Sequence, residues 1–144
     1  MTVMNYRFAT TDDVSALAQM NLDLIHDEGH RNSMTLAELE RRMETFLKGE
    51  YEAVVFEEEG SQHGYALFKR DESGIYLRQF FVAPSMRRKG IGRQALRSLQ
   101  TKTWRESPSI RLDVLVNNGA GIAFWKACGF TEYCITMELN RPSE

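Results

Sequence analysis

Between Phe81 and Leu96 the chain reads FVAPSMRRKGIGRQAL: an apolar run, a proline turn, three consecutive basic residues, two glycines one residue apart, then a helix-like stretch. A glycine-rich turn that leaves a strand and opens a helix presents unpaired backbone N–H groups at the positive end of the helix dipole, which suits a phosphate or pyrophosphate. Gly90 and Gly92 let the backbone approach such a group closely, and Arg87, Arg88, Lys89 and Arg93 add positive charge. The spacing fits neither common nucleotide loop. GIGR lacks the Lys-Ser/Thr pair with which a Walker loop holds phosphate and magnesium. A dinucleotide fingerprint places a third glycine where Ala95 stands; alanine is tolerated there, but the required parallel-strand pattern is missing. Taken alone, RRKGIG reads equally well as a solvated basic turn.

The chain around this turn has 144 residues, the size of one ordinary domain with a real core, and it shows no internal repeat or linker. One domain over residues 1–144 is expected. With 42% hydrophobic and 26% charged residues, the composition is globular rather than disordered or fibrous. A formal net charge of -2 lacks the overall basicity of a general nucleic-acid binder, so any anion site must be local. No apolar run approaches a bilayer span, and MTVMNYRFATTDD has no apolar core of the signal-peptide kind, which gives a cytoplasmic expectation. Cys128 and Cys134 are too few for a disulfide framework, and their apolar neighbourhood predicts buried, reduced thiols.

The elements that must position the turn follow from periodicity. NYRFA predicts a short strand, and Thr10 with Asp13 forms a capping box for a helix whose apolar positions are Val14, Leu17, Met20, Leu24 and Ile25. That helix stops near Gly29. A second capping box, TLAE from Thr35, opens a helix with Leu36, Leu39, Met43, Phe46 and Leu47 on its apolar stripe, ending at Gly49. Three strands in meander order follow, in EAVVF, HGYALFKR and IYLRQFFV. GIGRQALRSLQTKTW predicts a helix, IRLDVLV a half-buried strand, GAGIAFWKACG a short helix with a C-cap glycine, and YCITMEL a last strand.

The motif R-x-x-G-x-G at Arg87, Gly90 and Gly92, directly after the strand ending FFVAP, resembles the acetyl-coenzyme A loop of the GNAT acyltransferase superfamily. A second segment, VLVNNGAGIAFWKACGF, is similar to the family's downstream pattern, with Asn118, Gly121, Phe124, Trp125, Gly129 and Phe130 in its places. The element order matches as well. The resemblance implies an α/β (α+β) fold: a mixed, mostly antiparallel twisted sheet of about six to seven strands, flanked by four helices and splayed between the fourth and fifth strands. It implies an N-acetyltransferase that moves the acetyl group of acetyl-CoA to a primary amine of a small molecule by direct attack on the thioester, without a metal. Backbone groups of Phe81 and Val82 would pair with the pantetheine arm, and N–H groups from Arg88, Lys89, Gly90, Ile91, Gly92 and Arg93 would surround the pyrophosphate beside Arg87. Asn118 would hydrogen-bond the arm, Trp125 would pack near the sulfur, and a backbone N–H near Phe81 would face the developing oxyanion. A homodimer is left open.

This sequence departs from the family pattern twice. Trp125 occupies the slot of the family's tyrosine acid, and an indole N–H cannot usefully give up a proton. Arg78, with Gln79 beside it, stands where many members carry a glutamate base, and neither acts as a base near neutral pH. An α-amine of pKa about 7.7 to 8.0 is therefore a more suitable acceptor than a lysine-like amine of about 10.4. Strand alternation puts Arg78 on the face of Phe80 and Val82, opposite Gln79, and both are expected to contact an acceptor bearing an amine and a carboxylate. In HDEGH the helix motif for zinc fails, because Asp27 rather than Glu follows the first histidine. That loop reads as a surface connection, or as a wall of the acceptor pocket in which His26 or Glu28 could serve as base. Trp104, Phe80 and Phe81 read first as core residues. A CoA-binding regulatory module without catalysis is the alternative that the missing acid and base suggest. A nucleic-acid or phosphate binder is disfavoured by the overall charge.

Overall fold

The computed structural model describes residues 4–142, so the outer limits of the expected domain, and the first residues of the segment read as lacking a signal peptide, lie outside it. The sheet runs in the order β1 (Asn5–Phe8), β2 (Tyr51–Glu58), β3 (Ser61–Asp71), β4 (Gly74–Val82), β5 (Ile110–Arg111). The first four strands are antiparallel, and β5 is parallel to β4. The fold is the mixed α/β arrangement expected, with four α-helices and five strands among the described residues rather than six to seven.

Both expected capping boxes form. Thr10 caps a short turn, Thr11–Asp13, that leads into α1 (Val14–Asp27), and Asp13 caps back while holding Arg7 by two hydrogen bonds of 2.9 and 3.0 Å. Thr35 and Glu38 reciprocate at the start of α2 (Leu36–Lys48), satisfying donors that would otherwise be orphaned. The two helices cover one face of the sheet, where Leu17, Met43, Val55, Tyr65, Leu67 and Phe81 pack. On the other face α3 (Ile91–Ser98), a wider helical turn over Leu99–Thr103 and Trp104 bury Val54, Phe56, Phe68, Ile75 and Leu77. Trp104 N–H reaches back five residues to the Leu99 carbonyl at 2.7 Å, which swings its indole under Phe68. Helix α4 (Gly119–Ala127) lies beyond β5.

Two features of β4 open a cleft. Phe68 pairs with Leu77 and Leu67 with Gln79, so Arg78 is an extra, bulged residue. A bulge increases twist and re-aims side chains. Strands β4 and β5 pair only at Ile75–Ile110 and Tyr76–Arg111, and past this point they diverge, as the expected splay requires. Three expectations fail here. Of IRLDVLV only Ile110–Arg111 is strand, because the remainder leaves β4 and finds no partner on its outer side. YCITMEL forms no strand and is exposed throughout. The thiols are free, but Cys128 is half-buried and Cys134 exposed, because the segment carrying Cys134 packs against no core. No helix among the described residues is long and apolar enough to cross a membrane.

Candidate functional site

The cleft between the diverging strands has a volume of about 590 Å³ and runs from the α3 N-terminus, past β4 and Trp125, to the C-terminal end of α1. At its α3 end Gly90 is the N-cap with φ 74°, and Arg88 is also left-handed at φ 64°. Gly90 therefore answers a backbone need, since a side chain at that φ is strained. Gly92 answers a spatial one: a Cβ there would meet the Phe124 ring at 3.2 Å. The first backbone bond of the helix runs from Gln94 N–H to the Gly90 carbonyl at 3.0 Å, so the N–H groups of Ile91, Gly92 and Arg93 have no acceptor within the helix.

The basic residues of the turn divide in a way that charge alone did not reveal. Arg87 donates through Nε to the Val82 carbonyl at 2.8 Å, pairs with Asp27 at the end of α1, and lies over the Phe81 ring. Arg93 donates to the Ala127 carbonyl at 2.9 Å, at the C-terminus of α4. Both arginines are thus structural fasteners. Arg88 lines the cleft together with Arg87 and Arg93, whereas Lys89 does not. Asn118 also has a local task, accepting the Gly121 N–H at 2.9 Å as the cap of α4, and Gly121 has no room for a Cβ beside it.

The strand wall requires a correction. Ala83 N–H donates to the His63 carbonyl at 2.7 Å, and ladder alternation then makes Tyr65–Phe81 the next hydrogen-bonded pair. The N–H and C=O of Phe81 consequently face β3, and the strand groups that face the splay belong to Phe80 and Val82. The Phe81 side chain is core, as expected, and borders the cleft; Phe80 also lines the cleft and packs on Phe124 and Trp125 with ring centroids 6.1 and 5.4 Å apart. Trp125 also meets Phe130 edge-on, so its indole is held by aromatic contacts on several sides.

At the α1 end the cleft meets Asp27, Glu28, Arg78 and Gln79. His26, in the last turn of α1, is exposed and lies outside it. Burial, helped by the neighbouring Asp27 charge, raises the Glu28 carboxyl above the ordinary carboxylate range. Arg78 does not share the face of Phe80. The bulge turns it toward α2, where its guanidinium lies 4.9 Å over the Phe46 ring and 5.8 Å from that of Tyr51, with a long 3.4 Å hydrogen bond to the Tyr51 hydroxyl. Among the described residues it pairs with no carboxylate. Gln79 is buried and accepts from the Tyr65 hydroxyl at 2.8 Å. Burial pushes that phenol well above its usual pKa, so it stays a donor that holds the Gln79 amide in place.

Several of these participants carry no motif: Tyr65, Phe80, Asp27 as the partner of Arg87, and the opposite wall at Leu112 and Asp113. Asp113 accepts from the Tyr76 hydroxyl at 2.8 Å, and burial and that bond push the phenol up to about 12, so Tyr76 keeps its proton and ties the diverging walls together at their root. Alternation in IYLRQFFV could have flagged Phe80; the others depend on contacts distant in sequence.

The sequence matches the family described as "Acetyltransferase (GNAT) family" over residues 18–130. No curated protein matches it. Among solved structures, it is similar to an aminoglycoside N-acetyltransferase, AAC(6')-Iy, in complex with CoA, with TM-score 0.78 and 16% identity over 99% of this chain and 97% of the other. It is similar to a possible acetyltransferase from Clostridium difficile 630, with TM-score 0.79 and 16% identity over 99% of each chain. It also resembles a predicted acetyltransferase from Clostridium acetobutylicum with acetyl-CoA, with TM-score 0.74 and 24% identity over 96% of each chain.

Proposed function

Because the chain belongs to the GNAT acetyltransferase family and is an acetyl-CoA-dependent amine acyltransferase, we propose that its acceptor is a small molecule carrying an amine beside a carboxylate, as an amino acid or a peptide N-terminus does. The carrying observation is Arg78, an arginine without a carboxylate partner among the described residues, in the same cleft as the raised carboxyl of Glu28.

The residues present fit acetyl-CoA. Free N–H groups of Ile91, Gly92 and Arg93 suit a pyrophosphate, and the unpaired side of β4 at Phe80 and Val82 suits an extended amide-bearing arm. When bound, acetyl-CoA supplies an acetyl group activated as a thioester, whose thiol, of pKa about 8.5 if it behaves like cysteine, leaves with little acid assistance. Trp125 then needs only to pack and exclude water. The Val82 N–H, whose own carbonyl is occupied by Arg87, is a candidate donor to a developing oxyanion. Glu28 takes the proton of the acceptor amine; its raised pKa brings it closer to the range a general base needs at neutral pH. Arg78 holds the acceptor carboxylate by charge-assisted hydrogen bonds and repels a second cationic group.

The proposed unit is one acetyltransferase domain over residues 1–144, cytoplasmic, acting as a homodimer. The test of the acceptor is thiol release from acetyl-CoA in a screen of amino acids, peptides, polyamines and aminoglycosides. The expected result is turnover of carboxylate-bearing amines and poor turnover of spermidine and of polycationic aminoglycosides. Efficient acetylation of spermidine would return Arg78 to a structural role.

A further inference from the structure

The bulge in β4 brings two neighbouring side chains to the same side of the sheet. Phe46, Tyr51 and Tyr65 lie on the face that α1 and α2 cover; Arg78 reaches the first two, and Gln79, the next residue, reaches the third. Consecutive strand residues ordinarily point to opposite faces. Here the extra residue puts both on one face, and both line the cleft. Gln79 is 8% exposed, and its Oε1 accepts from the Tyr65 hydroxyl at 2.8 Å. Its Nε2 donates to no group among the described residues, so two N–H donors are left for whatever occupies the cleft.

An amide can turn over, and what decides its direction lies behind Tyr65. Arg42, on α2, is half-buried; it donates through Nη2 to Oδ1 of the buried Asn21 at 3.1 Å, and its buried Nε has no partner. Burial pushes the Tyr65 phenol up, and the Arg42 charge pulls it the other way, so the guanidinium acts on the phenol oxygen. A cation beside that oxygen attracts its lone pairs and repels its proton. The hydroxyl proton therefore points to Gln79, Oε1 receives it, and the N–H groups turn to the cleft. Arg42, Tyr65 and Gln79 thus form one row of dipoles that starts at a cation and ends in donors. The corner also carries unbalanced charge. Arg42 and Arg78 lie 5.4 and 4.9 Å from the centre of the same Phe46 ring, and neither pairs with a carboxylate among the described residues. A bound anion supplies the missing partner.

We propose that Arg42 and Tyr65 are positioning residues that set the acceptor specificity of the cleft: they lock Gln79 with its N–H groups outward, so that Gln79 and Arg78 together clamp the acceptor carboxylate and reject the same molecule as its amide. This rests on the reading of a carboxylate-bearing acceptor and adds how the cleft tells that carboxylate from a neutral group of the same shape. A carboxylate only accepts, so both of its oxygens suit the two donors. An amide in its place turns N–H groups toward donors.

The experiment is steady-state thiol release from acetyl-CoA with the amino acids, each as the free acid and as its amide, by the native protein and by Tyr65→Phe, Arg42→Met and Gln79→Glu. The quantity read is the KM of the amide over the KM of the acid, for the amino acid that the native protein turns over best. Comparing each variant with the native protein on one pair cancels the different basicity of the two amines. The native ratio should be about tenfold or more. Tyr65→Phe frees the amide to turn, so the ratio should fall to within about twofold, with KM for the acid changing more than kcat. Arg42→Met should move it the same way by less. Gln79→Glu keeps the oxygen that Tyr65 needs and puts an oxygen where the N–H groups were, so the preference should invert toward the amide. A melting temperature still raised by acetyl-CoA shows that a variant is folded, and Gln79→Glu, which keeps the native shape, decides the matter if Tyr65→Phe is not. A native protein with no preference for the acid overturns the carboxylate reading and the lock together. A native preference that survives in Tyr65→Phe or in Gln79→Glu overturns the lock and leaves the carboxylate to Arg78 alone. A loss of kcat shared by acid and amide, with the ratio unchanged, makes Tyr65 merely structural and overturns the lock as well.

Discussion

At the α3 end of the cleft a ligand meets main chain: the N–H groups of Ile91, Gly92 and Arg93, placed by one turn whose left-handed Gly90 starts the helix. At the α1 end it meets side chains, Glu28 from a helix terminus and Arg78 and Gln79 from a bulged strand. Main-chain donors survive most side-chain replacements and fail only when their space is filled. Side-chain donors fail one at a time, each with its own kinetic signature. Arg87 joins the two regions, bound to Val82 at one and to Asp27 at the other.

The largest expected effect tests the main-chain end. Gly92→Glu puts a carbon against Phe124 and an anion into the phosphate space, and acetyl-CoA should no longer raise the melting temperature. Thermal shift checks this, and an unchanged shift would place the pyrophosphate elsewhere.

Next comes Glu28→Gln, expected to lower kcat/KM by about 10²- to 10⁴-fold near neutral pH while acetyl-CoA affinity stays near native. The pH profile sharpens this. A base must be ionised, so activity should fall as pH drops through the Glu28 pKa, and because that pKa is raised the acid limb should lie above the ordinary value of about 4.3. In Glu28→Gln this limb should vanish; a limb that persists unchanged belongs to another group.

A smaller change is expected from Arg78→Ala. Its partly solvated charge-assisted contact is worth about tenfold in KM for the carboxylate-bearing acceptor, with little change in acetyl-CoA binding. Steady-state kinetics against both substrates decide it: a rise shared equally by both would abolish the division between the two ends, and normal kinetics would remove Arg78 from the acceptor site.

Trp125→Phe should do least. No proton donor is lost and an aromatic ring remains, so kcat should stay within about threefold of native while acetyl-CoA binds somewhat more weakly. Loss of turnover with normal folding and acetyl-CoA binding would assign the indole a chemical role.

The main-chain end was legible because its signals are local. The spacing of Arg87, Gly90 and Gly92, the capping boxes at Thr10 and Thr35, and the meander from β2 to β4 each depend on residues a few positions apart. The acceptor end was only partly so. Glu28 was named among its candidates, but alternation placed Arg78 beside Phe80, and the bulge opposite Leu67 and Phe68 reversed that. Charge counting assigned Arg87 and Arg93 to a phosphate, whereas their carbonyl partners at Val82 and Ala127 turn them into fasteners.

The amino-acid sequence by itself determined the types and order of the elements from β1 to α4, the family and the turn that opens α3, because backbone conformation and helix capping are decided within a few residues. Tertiary structure alone decided which face Arg78 presents, which main-chain groups of β4 stay free, that Tyr65 holds Gln79, and that residues 133–139 find no place on their own sheet. Register and edge pairing arise between segments tens of residues apart, and a strand's alternation states which residues share a face without stating what that face will meet.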